Sequence, residues 1–169
     1  MITSLPILSY VSNERLFQAT AITLPAWFLV IVAPRWKFSH VVAFLTMASL
    51  SLIYVLMLIP PIHALGFVRF VEQFLDFNEV VKLFQSPDGV VVGWIHFAVT
   101  DLAAGLWLIS DSRSRQIRHL FMIPQLLVSL LFGPAGILLY LVFTRPLLSR
   151  LRDREGGLPS RKRSGNKWE

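Results

Sequence analysis

The stretch VVVGWIHFAVTDLAAGLWLIS, Val90 to Ser110, decides how the rest of the chain is read. A helix needs about 20 predominantly apolar residues to cross a bilayer, and this run supplies them with a single carboxylate, Asp101, near its middle. Three further stretches qualify, at about 16–32, 38–62 and 120–143. In hydrocarbon every backbone amide must find an internal partner, and a helix satisfies its own. The alternation of a membrane β-barrel is absent. The expected fold is an all-α membrane protein with four transmembrane helices.

Composition agrees with that reading. Of 169 residues, 54% are hydrophobic and 15% charged, against about 25% charged in an ordinary soluble domain. The mean hydropathy is +0.61. A soluble globular domain, a disordered chain and a collagen-like chain are excluded. The chain has no cysteine, which removes disulfide scaffolds, thiolate metal sites, iron–sulfur clusters and thiol nucleophiles; no metal site is expected. The net charge is +6, yet eight of the sixteen Lys and Arg lie after Thr144: Arg145, Arg150, Arg152, Arg154, Arg161, Lys162, Arg163 and Lys167. A basic tail beside an apolar body marks the cytoplasmic flank of a membrane protein, held near anionic lipid. Membrane lipids are therefore the expected partners, and nucleic acid is not. The chain divides into an N-terminal segment 1–15, a membrane domain 16–145 and a basic tail 146–169 expected to be disordered. No cleavable signal peptide is evident. Four spans put both termini on one side with eleven cations, against five opposite, which predicts cytoplasmic termini in a bacterial inner membrane or a plastid membrane.

Between the second and third spans the period changes. Arg69, Glu72, Gln73, Asp76, Glu79 and Lys82 fall on one helical face, and Phe67, Phe70, Val71, Phe74, Phe77, Val81 and Phe84 on the other. An amphipathic helix over about 67–85 is predicted, lying in the membrane interface and stopped by a turn at Ser86-Pro87-Asp88-Gly89.

Ionisable groups inside spans are costly and mark function. Asp101 shares its helical face with Trp94, Ala98, Gly105 and Leu108, and the small residues there let another helix approach. His96 stands about 140° away around the helix, on the face of Thr100, Ala103 and Trp107. These two polar groups are expected to lie deepest. Each also has a structural reading: a hydrogen-bonded carboxyl, and a histidine satisfied by a neighbouring helix. Histidines on facing helices could also ligate haem, with His63 matched to His96 and His40 to His119; no other cofactor is expected. In the fourth span, Phe132-Gly133-Pro134-Ala135-Gly136 predicts a kink, since proline removes a backbone donor. The polar loop Asp111 to His119 reads as a solvated turn at the membrane edge that could also hold an anion.

Trp94-Ile95-His96, Asp101-Leu102 with Gly105 and Trp107, then Asp111, Arg115 and Phe132-Gly133-Pro134-Ala135-Gly136 together resemble the abscisic-acid-deficient-four-like family. The likeness covers about residues 16 to 145. Its members are small four-span membrane proteins, and the plant ones are required for neoxanthin synthesis from violaxanthin in plastids. No plastid-targeting segment is evident here, and the tail beyond Arg150 lies outside the family core. The resemblance therefore implies a carotenoid or other isoprenoid partner more directly than that one reaction.

If the reaction is the opening of an epoxide to an allene, it is an isomerisation without redox change. A neutral Asp101 would protonate the epoxide oxygen, and a neutral His96 would take a proton from the adjacent polyene carbon. Trp94, Thr100, Gly105, Trp107, Phe132 and Pro134, with Trp27, would line the polyene. The alternative is a non-enzymatic pigment-binding or scaffolding subunit of a larger membrane complex, and a bis-histidine haem protein is third.

Overall fold

The computed structural model describes residues 11–147; the expectation of a disordered tail falls almost wholly outside them. The first apolar rod is α1 (Asn13–Ala19), a 3-10 turn (Thr20–Ile22) and α2 (Thr23–Val32) in continuous succession. Thr20 and Thr23 donate their hydroxyls to the Phe17 and Thr20 carbonyls at 2.6 and 2.8 Å, so neither is a polar liability in an apolar rod. A short loop leads into α3 (Lys37–Leu65), which carries Pro60 and Pro61 in its last turns and ends at Gly66, φ 79°.

The predicted amphipathic helix is two helices. α4 (Phe67–Glu72) is separated from α5 (Phe77–Gln85) because Asp76 turns its carboxylate onto the amides of Asn78 and Glu79, at 2.8 and 3.4 Å, and caps a new helix. On the polar face of α5 the Lys82 ammonium sits 2.6 Å from Glu79, whose hydrogen bond and charge hold its pKa above the usual lysine value. The apolar side does not wrap a core: Leu75 and Phe77 are 85% and 80% exposed. Ser86 caps the next helix through the Gly89 amide, with Pro87 in the first turn, so the expected turn is the start of α6 (Pro87–Ser114).

α6 is the axis of the molecule; α1, α2, α3, α5 and the C-terminal helices all pack on it. Asn13 bonds to Asp88 at one end, and His119 to the Ile31 carbonyl at the other. Trp27 is buried against Gly105, where a side-chain carbon would run into its ring. Around this core the polarity is that of an object made for hydrocarbon. Phe28, Phe44, Leu52, Leu131 and Phe143 all exceed 60% exposure, while Ser39, Ser112 and Ser129 are buried. Three helical rods, Asn13–Val32, Lys37–Leu65 and Pro87–Ser114, are long and apolar enough to cross a membrane.

The expected fourth span is not a single helix. α7 (Ile123–Phe132) rises about 15 Å, stops at Gly133, and reverses into α8 (Pro134–Leu139) and one π-helical turn (Tyr140–Thr144). In a straight helix Gln125 and Thr144 would stand about 28 Å apart; here the Gln125 amide donates to the Thr144 hydroxyl. Gly136 lies against the Gln125 carbonyl and Ser129, so close that no side chain would fit between the arms. Gly133 makes the reversal with φ 40° and ψ −96°, backbone angles an L side chain rarely adopts. The result is a helical hairpin whose mouth faces the C-terminal end of α6.

Between α6 and the hairpin, Gln116 has φ 58°. Its amide bonds to the Arg113 carbonyl and that of Ile117 to Ser112, both at 2.9 Å, the paired bonds of a Schellman helix end. Glycine is the usual occupant of that left-handed position. Gln116→Gly is expected to raise thermal stability in detergent by about 1 kcal/mol; an unchanged or lowered melting temperature would show that the glutamine side chain contributes as much as its backbone strain costs.

Candidate functional site

Asp101 lies midway along α6, and the hairpin brings its tip there. A side-chain carbon at Gly133 would overlap the Asp101 carboxylate, so the glycine is both the reversal point and the floor on which the carboxyl rests. Asp101 is half-buried, and among the described residues neither a hydrogen bond nor an ion pair reaches it. Polar groups at such depth ordinarily carry a partner. Phe132 and Pro134 flank the tip and are exposed, and the carboxyl itself is not fully enclosed.

The other residues singled out from sequence are dispersed around this point. His96 is exposed on the outside of α6, with its ring 5.8 Å from that of Tyr54, which corrects the expectation that it lies deep. Thr100 is also outward and returns its hydroxyl to the His96 carbonyl at 2.8 Å. Trp94 is half-exposed one and a half to two turns toward the start of α6, stacked 5.2 Å from Phe17. Trp107 lies toward the other end, edge-on to Tyr140 at 6.0 Å. Gly105 and Trp27, expected to line a polyene, fill each other and offer no surface. His40 and His119 direct Nε2 at the Pro34 and Ile31 carbonyls, at 3.0 and 2.6 Å, and act as ties for the loop between α2 and α3.

One cluster escaped the sequence reading. Asp111 accepts from the Tyr140 hydroxyl at 2.5 Å and from Arg115 Nε at 2.8 Å, with Arg145 Nε at 4.0 Å. It fastens the returning arm of the hairpin to α6 and so holds Gly133 at the depth of Asp101. The i, i+4 spacing of Asp111 and Arg115 signals their pair; nothing local signals that Tyr140 joins it. Inside the hairpin, Ser129 Oγ and Gln125 Oε1 are buried without a hydrogen-bond partner among the described residues.

The sequence model of one protein family, described as ABA DEFICIENT 4-like, matches residues 15–140. That interval runs from α1 through the returning arm of the hairpin and contains Asp101, Gly133 and the Asp111–Tyr140 bond. Neither the curated proteins nor the solved structures contain a match. The matched interval is most of the chain, and the protein belongs to the ABA DEFICIENT 4-like family.

Proposed function

We propose that this protein is an integral membrane protein that binds a carotenoid or related isoprenoid from the bilayer and isomerises it by acid–base chemistry at Asp101. One observation carries the reading: a carboxyl at the middle of a membrane-length helix, without a partner among the described residues, set against the tip of a re-entrant hairpin. An unpaired carboxylate is expensive in hydrocarbon, so the group resides there as the neutral acid. A neutral acid that is half-buried beside the exposed Phe132 and Pro134 suits an apolar substrate bearing one basic oxygen.

For an epoxide-bearing polyene the step balances without a redox partner. Asp101 gives its proton to the epoxide oxygen, the carbon–oxygen bond breaks, and the electron-poor polyene loses a proton from the adjacent carbon. His96, five residues earlier on a neighbouring face of α6, is the base for that proton, and proton return to Asp101 closes the cycle. The oxygen stays on the product as a hydroxyl, and the mass is unchanged.

The test is incubation of the purified protein in liposomes with violaxanthin, read by chromatography and mass. Wild type is expected to give an isobaric product with an altered spectrum. Asp101→Asn keeps the shape of the side chain and is expected to lower turnover at least about 100-fold, the contribution of a general acid. Equal product from the variant would sink the assignment. Pigment that copurifies and stays chemically unchanged would instead favour a binding subunit of a membrane complex.

A further inference from the structure

We propose that the cleft between the α2–α3 loop and the Schellman turn after α6 is a phosphate-binding site, and that its occupant is the phosphate of an anionic amphiphile at the membrane surface. The cleft is open, about 530 Å³, and lined by Arg35, Arg113, Gln116, Ile117 and Arg118. Three guanidinium groups therefore border one space, and no carboxylate among the described residues lines it. Asp111, the acid nearest in sequence, is already engaged by Tyr140 and Arg115. A helix C-terminus attracts cations and accounts for one arginine at the end of α6. It does not account for Arg35, which comes from a different loop, or for Arg118, which lies beyond the turn.

Two of the lining residues are held in place by the fold. Arg113 donates to the Pro34 carbonyl and sits 3.3 Å from His40 Nε2, so its guanidinium is oriented before any ligand arrives. Gln116 occupies the left-handed position that glycine would fill without strain, and it is the amide-bearing member of the lining. Preset guanidinium forks suit phosphate oxygens, which accept paired charge-assisted bonds. The surroundings select a lipid source: Trp36 and Leu120, next in sequence to Arg35 and near Arg118, are 51% and 67% exposed, as at the level where head groups meet acyl chains.

The experiment uses the full-length protein in nonionic detergent, titrated with phosphatidic acid in mixed micelles, with diacylglycerol of the same chains, and with inorganic pyrophosphate. Saturable binding of phosphatidic acid but not diacylglycerol is expected. The double variant R35Q/R118Q is expected to weaken it about tenfold or more. Lys37→Gln removes a cation from the same face but outside the cleft, and should change affinity less than about twofold. Pyrophosphate that binds and competes would assign the site to phosphate in general; pyrophosphate that does neither would assign it to a lipid head group. Equal losses in K37Q and R35Q/R118Q, or equal binding of phosphatidic acid and diacylglycerol, would overturn the proposal and leave only diffuse attraction to anionic membrane. The readout is independent of any pigment chemistry, so it stands or falls apart from the role of Asp101.

Discussion

A tag placed at the C-terminus is expected on the same side of the membrane as Ser114, and opposite to Asn78. Three rods of membrane-crossing length carry the chain from the end that holds Asn13, α4, α5 and Asp88 to the end that holds Ser114. Both arms of the hairpin open at that second end, because Gln125 and Thr144 meet at its mouth. The charge distribution turns this geometry into an orientation. Among the described residues the first end carries Arg15, Arg69 and Lys82, alongside Glu14, Glu72, Asp76, Glu79 and Asp88. Among the described residues the second carries Arg35, Lys37, Arg113, Arg115, Arg118 and Arg145 with Asp111 alone in opposition, and seven more Lys and Arg follow Leu147 in the sequence against Asp153, Glu155 and Glu169. Cations concentrate on cytoplasmic flanks, so Ser114 and the C-terminus should face the cytoplasm and Asn78 should not. The absence of native cysteine makes the measurement clean. In intact bacterial cells an impermeant maleimide should label N78C fully, and S114C only after permeabilisation. A C-terminal tag on the side of Asn78 would mean that the hairpin opens into a fourth crossing. Reversed labelling of both cysteines would keep the hairpin and overturn the charge argument.

The sequence carried the three long rods and missed the reversal for a definable reason. Hydropathy over 120–143 sums apolar side chains and is blind to direction, so a folded-back pair of short helices scores as one span. The information was present in another form. Gly133-Pro134 divides that run near its middle, leaving arms too short to cross about 30 Å of hydrocarbon. Gly136 and Ser129 supply the small facing residues, and Gln125 and Thr144 a polar pair at the mouth. None of these is decisive without knowing that Gly133 takes a positive φ, which is a backbone property and not a compositional one. The same limit governed the site. Helical spacing placed Asp101 and His96 on different faces of α6 correctly, but could not say which face meets the hairpin and which looks outward. That choice is made by Trp27 settling on Gly105 and by Tyr140 reaching Asp111, contacts between residues far apart in the chain.

Gly133→Ala should be among the most damaging single-methyl additions in the protein, and its cost should depend on Asp101. Two penalties combine. The left-handed backbone at φ 40° costs an L residue about 1–2 kcal/mol. The new methyl also overlaps the Asp101 carboxylate, and forcing extra volume into a packed contact costs about 1–3 kcal/mol more. The hairpin tip cannot withdraw without stretching the bonds that fix its mouth, Gln125 to Thr144 and Tyr140 to Asp111. A total loss of about 3 kcal/mol is therefore expected for G133A in wild type, read from unfolding in detergent. Measured in a D101A background, the same substitution should cost only the backbone share, about 1–2 kcal/mol, so the coupling between the two positions should be at least about 1 kcal/mol. A cost that is the same in both backgrounds would show that the tip does not rest on the carboxyl, and would remove the geometric basis for placing chemistry there. The cycle thus examines the juxtaposition itself, with no pigment present. If the coupling is found and D101N still turns over substrate, the hairpin and Asp101 are a structural joint and the acid lies elsewhere; if both results hold, the glycine is what allows an acid to stand uncovered at the centre of the membrane.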